Sequence, residues 1–346
     1  MKEFLGKEIG PYKDPFIIAE ISCNHTGDIN EALRLIRNAY ECGADAVKIQ
    51  VYTPEEMTLN FRGTIDVNSD YPTEFHTNIH GPWKGKHLWD LYRQGETPIE
   101  WLPDLFSKAK QIGIPIFASV FGDKSLAALE AVECPAYKIA SFELCDTGLL
   151  RKVAAKGKPI LLSTGCSDYR ELDRAVEATV YNLIIMHCVS KYPHTVSEAE
   201  LNFIRELRRE YGDPIGYSDH THSETAALLA IASGACIIEK HYGDSDKSLD
   251  KDFSLNTKEF LHFVEQCKYA SIALSPDNNK TSTSKYKRSL YVVKPISAGE
   301  EFTNDNIKSI RPNYGLPPYM LDQILGKKAK FDLMFGTALK QEMIDG

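Results

Sequence analysis

The chain has 346 residues, 43% hydrophobic and 25% charged, a composition typical of soluble globular proteins with a full core. The formal net charge of −8 disfavours a nucleic-acid partner, because nucleic-acid binders usually carry a basic excess. No run of roughly 18 apolar residues occurs, and the N-terminus is polar, so we expect neither a membrane span nor a signal peptide. The eight cysteines are spread singly without a CxxC pair, which indicates a reduced, cytoplasmic protein.

Short apolar runs rich in β-branched residues alternate with helical patterns up to about residue 270. The runs span 16–22, 46–52, 114–120, 136–141, 158–164, 183–189, 214–220 and 235–242. Each run is apolar on both sides, as parallel strands covered by helices should be. Eight such units over about 250 residues predict a (β/α)₈ TIM barrel, an α/β fold. The alternative, a doubly wound open sheet, would place a glycine-rich loop after its first strand, and the sequence IAEISCNHTGD has none.

Two further segments define the organisation of the chain. Residues 53–98 show no clear period, and we expect a long loop above the barrel mouth. Composition then shifts at a polar Ser/Thr/Asn/Lys stretch. We therefore divide the chain into a catalytic barrel at 1–274, a linker at 275–286 and a small module at 287–346. The module combines short strands and turn glycines with one brief helix, and so small a piece is expected to pack on another surface.

Polar side chains follow the ends of nearly all the predicted strands, where barrel enzymes place their catalytic groups. They are Glu20, Asn24, His25, Lys48, Gln50, Ser119, Lys138, Ser141, Glu143, Thr164, His187, Ser190, Tyr192, Asp219, His220, Glu239, Lys240 and His241. Any one of these side chains, taken alone, could belong to a buried ion pair or hydrogen-bonded pair with a purely structural role. The whole set indicates a site, because burying charges is costly unless they pair or bind a ligand.

Lys48 and Lys138 alternate with apolar neighbours, so both are predicted to point into the barrel lumen. Two inward cations call for an anion such as a phosphate or phosphoenolpyruvate, aided by the hydroxyls of Ser119, Ser141 and Thr164. The alternative is that one lysine forms a Schiff base, as in class I aldolases.

His220 and His241 close the seventh and eighth predicted strands, and Asp252 follows eleven residues after the second histidine. Two imidazoles with solvent and substrate oxygens suit a divalent first-row metal such as Mn²⁺. A pair of hydrogen-bonded structural histidines fits the same spacing.

The motifs PFIIAEISCNH, GADAVKIQ, YKIASFE, STG at 163–165, IGYSDHT, and IIEKHY followed by DFSL are similar to those of the sialic acid synthase family. The segments ISAGEEFTNDNIKSIRP and LGKKA resemble its antifreeze-like (SAF, β-clip) domain. The resemblance covers essentially the whole chain. It implies a transferase that condenses phosphoenolpyruvate with an open-chain N-acetylated amino sugar and water, releasing phosphate and a nonulosonic acid.

Several segments resemble the pseudaminic acid synthase branch of this family: YTPEEMTLN, LWDLY, TPIEW, KSIRPNYGLPP and GTALKQ. That branch implies 2,4-diacetamido-2,4,6-trideoxy-altrose as the sugar and pseudaminic acid as the product. N-acetylneuraminate and legionaminate synthases are the alternatives within the family. The alternatives of a different class are a Schiff-base aldolase and an inactive carbohydrate-binding protein.

The resemblance also implies roles for individual residues. The metal ligands are His220 and His241, with Mn²⁺ favoured over Mg²⁺ and Co²⁺. The phosphoenolpyruvate contacts are Lys48, Ser119, Lys138, Ser141 and Ser190. The residues lining the metal and sugar region are Gln50, Tyr192 and Asp252. Glu20 and Glu143 are the acidic pair, from which the base for the attacking water is drawn.

Arg311 in the C-terminal module matches an arginine that reaches the sugar in the barrel of a second subunit. The resemblance therefore implies a domain-swapped homodimer.

Overall fold

The computed structural model describes residues 2–62, 83–179, 182–275 and 283–345. An N-terminal hairpin, β1 (Lys2–Phe4) and β2 (Lys7–Ile9), precedes eight parallel strands. These are β3 (Phe16–Glu20), β4 (Ala46–Val51), β5 (Ile116–Val120), β6 (Tyr137–Ile139), β7 (Ile160–Ser163), β8 (Leu183–Cys188), β9 (Ile215–Asp219) and β10 (Ile237–His241). They close into a barrel in chain order, with β10 paired to β3. The predicted TIM barrel is confirmed, and closure excludes the open sheet.

Helices follow the strands, and most of them cover the outside of the barrel. They are α1 (Ile29–Glu41), α2 (Pro54–Met57), α3 (Leu88–Gly95), α4 (Leu102–Ile112), α5 (Asp123–Ala131), α6 (Thr147–Ala154), α7 (Tyr169–Thr179), α8 (Asn202–Tyr211), α9 (Thr225–Ala232) and α10 (Thr257–Leu274). Helix α1 begins where the Asp28 carboxylate accepts a hydrogen bond from the Asn30 N–H, and its apolar positions recur at helical spacing, so that Leu35 and Ile36 are buried. Within the described ranges, no helix combines the length and apolar character that crossing a bilayer requires.

The long segment after β4 is more ordered than its sequence indicates. Helix α2 begins directly after Thr53, and helix α3 occupies residues for which the sequence showed no clear period. His87 caps α3 by accepting a hydrogen bond from the Trp89 N–H. The middle of the predicted loop, residues 63–82, lies outside the described residues.

The N-terminal hairpin closes one end of the barrel. Phe4 is fully buried, with its ring centroid 4.9 Å from that of Phe16 and 5.8 Å from that of Phe117, both in edge-on contact. Phe16 is the first residue of β3 and Phe117 the second of β5, so these contacts lie at the N-terminal ends of the strands. The opposite end, where barrel enzymes carry out their chemistry, holds the polar residues.

The chain divides into two compact units, Met1–Pro276 and Asp277–Gly346. The second unit contains β11 (Ser289–Val292), β12 (Ile307–Ile310), helix α11 (Leu321–Ile324), β13 (Lys328–Ala329) and β14 (Ile344–Asp345). Its strands pair antiparallel, and they enclose a small core that includes Leu290, Phe302 and Leu339. Most of the predicted linker, residues 276–282, lies outside the described residues.

The phenylalanine cluster predicts a stability effect. Phe4→Ala should lower the free energy of unfolding of the barrel by about 3–5 kcal/mol, because it opens a cavity between two buried rings. The change is measured by chemical denaturation followed by circular dichroism. Phe142→Ala is the matched control, since that side chain is 63% exposed, and it should change the value by less than about 0.5 kcal/mol. Equal effects of the two variants would contradict the closing role of Phe4.

Candidate active site

Strand alternation places Lys48 and Lys138 in the lumen, as the sequence predicts. Both ammonium groups are buried, with each side chain only 3% exposed. Glu20 pairs with Lys48 in the β3–β4 register, and Ser119 pairs with Lys138 in the β5–β6 register. The lumen-facing positions of four neighbouring strands therefore bring these residues together.

The two lysines share a carboxylate that the sequence analysis did not single out for a role. Glu239 Oε2 lies 2.9 Å from Lys138 Nζ, and its Oε1 lies 3.5 Å from Lys48 Nζ. Lys48 also contacts Glu20 Oε2 and donates to Ser119 Oγ at 3.1 Å. Two ammonium and two carboxylate groups thus form one buried network, here called the lumen network: Lys48, Lys138, Glu20 and Glu239. The two inward cations are thus paired with carboxylates of the chain itself, and the predicted anionic ligand stays a prediction.

Burial and charge act in opposite directions on the pKa values of this network. Burial opposes ionisation of Glu239, but Lys138 and Lys48 outweigh it and hold the pKa of Glu239 well below its ordinary value. Burial likewise disfavours the charged form of Lys48, but Glu20 and Glu239 raise its pKa. For Lys138 burial prevails over Glu239, and its pKa is lowered. The signal for Glu239 was present in the sequence, because it lies two residues before His241 and so on the same strand face.

Hydroxyl groups gather beside the network. Ser141 Oγ and Ser190 Oγ lie 2.6 Å apart, although they come from the ends of β6 and β8. Gln50 lies on the lumen face of β4, two residues beyond Lys48 and paired with Ser119 in the β4–β5 register. Thr164 donates its hydroxyl to the Met186 carbonyl at 3.4 Å. The serine pair is therefore the better-placed donor set for an anion.

His220 and His241 lie together at the C-terminal ends of β9 and β10. Their ring centroids are 5.5 Å apart, and the side chains are almost wholly buried. Nδ1 of His220 lies 2.8 Å from the Val189 carbonyl, and Nδ1 of His241 lies 3.2 Å from Asp250 Oδ2. Both partners are acceptors, so they fix each proton on Nδ1 and leave Nε2 with its lone pair.

The chemistry of this pair fits a divalent metal. Ser218 Oγ lies 3.2 Å from His220 Nε2, but its single proton is donated to Glu239 Oε1 at 2.9 Å, which leaves the imidazole lone pair unclaimed. Burial, and next the neighbouring His241, lower the pKa of His220 well below its ordinary value, so the ring is the neutral form that ligates metals. Within the described ranges, no three His, Cys, Asp or Glu side chains form a cage. Two nitrogen ligands leave coordination positions for solvent and substrate oxygens.

The acid beside His241 is Asp250 and not Asp252. Asp250 is buried, and its backbone N–H donates to Ser248 Oγ at 3.1 Å, which holds the turn after β10. Asp252 lies in a short 3₁₀ turn, Lys251–Phe253, and is half-buried. Its assignment to the sugar region stays a prediction. Arg311 is exposed and follows β12 in the second unit, and its role also stays a prediction.

The two predicted acids differ in how their oxygens are engaged. Glu20 accepts a hydrogen bond from the Ser22 N–H at 2.8 Å through Oε1, and its other oxygen contacts Lys48. Glu143 lies in the 3₁₀ turn Ser141–Glu143, and its buried Oε2 has no hydrogen-bond partner among the residues that the structure describes. Burial raises the pKa of Glu143 to about 7. Glu143 is therefore the acid whose protonation changes near neutral pH.

Aromatic rings pack around the histidines. Tyr192 lies 4.1 Å from His220 between ring centroids, and Phe253 lies 4.8 Å from His241. Trp83, just before α3, is 5.8 Å from Tyr192 and 5.9 Å from Phe253. The three aromatic rings therefore form an apolar surface on one side of the histidine pair.

Comparisons with known proteins match this architecture along the chain. The sequence model of the NeuB family matches residues 35–279, and that of the SAF domain matches residues 287–345. The pseudaminic acid synthase of Campylobacter jejuni serotype O:2 is 37% identical over 340 residues, 95% of this chain and 96% of that protein. The pseudaminic acid synthase of Helicobacter pylori is 37% identical over 343 residues, 96% of this chain and 98% of that protein.

One solved structure is similar to this chain in both fold and sequence. The N-acetylneuraminic acid synthetase of Leptospira borgpetersenii superposes with a TM-score of 0.70 at 31% identity. The match covers 82% of this chain and 93% of that one.

The contact between Asp250 and His241 predicts a change in metal affinity. With Mn²⁺ as the probe cation, Asp250→Asn should weaken binding at the candidate site by roughly 10- to 100-fold, because the carboxylate orients the imidazole and raises its basicity. Binding is measured on the enzyme without substrates by electron paramagnetic resonance of free Mn²⁺. The matched control is Asp252→Asn, which should leave Mn²⁺ affinity unchanged. A larger loss in Asp252→Asn would restore the assignment made from the sequence.

Proposed function

Because the chain belongs to the NeuB family of sialic acid synthases, we propose that it condenses phosphoenolpyruvate with an open-chain amino sugar to give a nonulosonic acid and phosphate. The family matches confirm the resemblance read from the motifs, and they confirm an enzyme with a TIM barrel followed by an SAF domain. The single observation that carries the proposal is the position of the lumen network beside the His220–His241 pair at one end of the barrel.

Phosphoenolpyruvate carries a carboxylate and a phosphate, and the lumen offers donors for both. Lys48 and Lys138 supply buried ammonium groups, and Ser119, Ser141 and Ser190 supply hydroxyls. Charge-assisted hydrogen bonds of this kind are strong in a site with little water. Because the lysines already pair with Glu20 and Glu239, the incoming anion replaces some of these ion-pair contacts with its own.

We assign the divalent metal to Nε2 of His220 and of His241, with Mn²⁺ favoured over Mg²⁺ and Co²⁺. When bound there, such a metal supplies Lewis-acid polarisation of the sugar aldehyde. Carbon 3 of phosphoenolpyruvate then bonds to the aldehyde carbon, and cationic character develops at carbon 2. Water adds to carbon 2, and one of its protons passes by way of a carboxylate to the former aldehyde oxygen, which becomes a hydroxyl. The tetrahedral intermediate then expels phosphate, which carries off the remaining hydroxyl proton as carbon 2 becomes a ketone. Lys48 and Lys138 stabilise the changing charge from fixed positions.

Glu143 is the carboxylate that we assign as the base for this water. Its Oε2 is buried without a hydrogen-bond partner among the described residues, whereas both oxygens of Glu20 are engaged. A base works best when its pKa lies near the working pH, and the pKa of Glu143 is about 7.

The sugar that we propose is 2,4-diacetamido-2,4,6-trideoxy-altrose, which gives pseudaminic acid. The 37% identity to two pseudaminic acid synthases over nearly the whole chain supports this choice. The apolar faces of Trp83, Tyr192 and Phe253 beside the histidines suit a sugar rich in methyl groups. A neuraminate synthase is the second candidate, supported by the 31% identity to the Leptospira synthetase. A cytoplasmic location and a domain-swapped homodimer, in which Arg311 serves the second barrel, also belong to this proposal.

The choice of sugar is tested by phosphate release from phosphoenolpyruvate with three sugars. These are N-acetylmannosamine, 2,4-diacetamido-2,4,6-trideoxymannose and the corresponding altrose. The altrose should be preferred by roughly 10-fold or more in kcat/KM. A pocket made for methyl groups lacks partners for the additional hydroxyls of N-acetylmannosamine, and the mannose derivative carries the same substituents in a different stereochemistry. Preference for N-acetylmannosamine would move the enzyme to the neuraminate branch.

The same assay tests the metal site. His220→Ala and His241→Ala should each abolish metal-dependent phosphate release, and the exposed His222 provides the control variant His222→Ala. Full activity of both site variants after metal chelation would rule out the assigned ligands.

The base assignment predicts a pH dependence. A carboxyl with a raised pKa is protonated below that pKa, so kcat/KM should rise by roughly tenfold per pH unit up to about pH 7 and then level off. Glu143→Gln should remove this rise and lower the plateau by about 10²- to 10⁴-fold. Glu41→Gln, at an exposed position on α1, should keep the wild-type profile. A rise near pH 7 that persists in Glu143→Gln would assign the base to another group.

A further inference from the structure

A second ion pair joins β9 and β10 on the side away from the lumen. Lys240 Nζ lies 3.1 Å from Asp219 Oδ2, and both side chains are fully buried. Each residue directly precedes a histidine of the candidate metal site, and the two are paired in the β10–β9 register. Because side chains alternate along a strand, they point outward from the barrel, and Lys240 Nζ lies 5.7 Å from the ring centroid of Phe263 in α10.

Packing alone does not explain this pair. The neighbouring outward positions on the same strands are Tyr217 and Ile238, and both are fully buried in the layer beneath the helices. Desolvating two charges costs free energy that their attraction rarely exceeds, so a well-packed apolar pair is often as stable. The charges at this point therefore call for a role other than stability.

The pair also holds the backbone on the far side of His220. Asp219 Oδ1 accepts a hydrogen bond from the Thr221 N–H at 2.9 Å, and Lys240 donates to the Thr221 carbonyl. Both bonds end on Thr221, so the residue before His220 and the residue after it are joined through one ion pair.

His220 has particular need of such a restraint. Strand β9 ends at Asp219, and the last pair in its register with β10 is Asp219 with Lys240. His241 is instead still in the ladder, paired with Glu20 of β3. Beyond the ladder, the His220 carbonyl accepts one bond from the His194 N–H at 3.3 Å.

We propose that Asp219 and Lys240 are positioning residues that hold His220 so that its Nε2 faces a divalent cation shared with His241. The inference rests on the metal site assigned under the proposed function. The Asp219 carboxylate fixes the backbone after β9 through Thr221, and Lys240 ties that carboxylate to β10. Residues on the outer faces of β9 and β10 thereby fix the position of a histidine on the lumen side.

The test compares two double variants that remove both charges and differ in one acceptor. Asp219→Asn with Lys240→Met keeps an oxygen for the Thr221 N–H, whereas Asp219→Leu with Lys240→Met lacks it and has the same number and branching of side-chain heavy atoms. The Mn²⁺ dissociation constant is measured by electron paramagnetic resonance, on full-length enzyme without substrates and well below each variant's Tm. The leucine variant should bind roughly 10- to 100-fold more weakly than wild type, and the asparagine variant should retain most of the affinity.

Two reference proteins keep the result unambiguous. Val264→Ala removes buried apolar groups of α10 that face Gly43, and it should bind Mn²⁺ as wild type does. His220→Ala should lose the binding. Equal affinity in the two double variants would overturn the positioning role while leaving the metal site intact. Binding in wild type that does not depend on His220 would overturn the metal site and the positioning role together.

Discussion

The buried ion network of Lys48, Lys138, Glu20 and Glu239 is the constraint on which the rest of the barrel depends. Each of these charges lies in the lumen, where an unpaired one would cost several kcal/mol in lost hydration. Pairing therefore requires β3, β4, β6 and β10 to close in one register. Barrels of this kind usually fill the lumen with layers of apolar side chains. Here the charged side chains of the lumen network occupy that space instead. The ion pairs that hold these strands in register are therefore the same contacts that form the candidate site.

The two faces of β9 and β10 have different tasks. Inward residues present imidazole nitrogens and the shared carboxylate of Glu239, while outward residues join the strands to each other and to the turn after His220. Because successive side chains alternate, the inward residues and the outward residues that support them are neighbours in the sequence motifs SDHT and EKH. In the proposed function, an anion that enters the chamber exchanges partners with carboxylates already in place.

The fold and much of the candidate site could be predicted from the sequence, because the period of a strand determines which side chains face inward. The eight strands followed from the apolar β-branched runs, the inward lysines from the alternation of side chains along a strand, and the neighbouring histidines from their places at the ends of adjacent strands. Contacts across the lumen did not, since the link between Glu239 and Lys138 depends on how the closed barrel staggers its strands. Asp250 was missed because a turn, unlike a strand, has no period from which to infer direction. Helix α3 was missed because the sequence of its segment shows no clear period.

The closure by Phe4 has a practical consequence for handling the enzyme. Phe4 packs at the N-terminal ends of the strands, whereas His220 and His241 lie at their C-terminal ends. A strand of five or six residues separates the two levels by about 17–20 Å. A tag or surface anchor fused ahead of β1 (Lys2–Phe4) therefore joins the chain at the N-terminal ends of the strands. Enzyme attached by that end keeps His220 and His241 at the end of the strands away from the attachment.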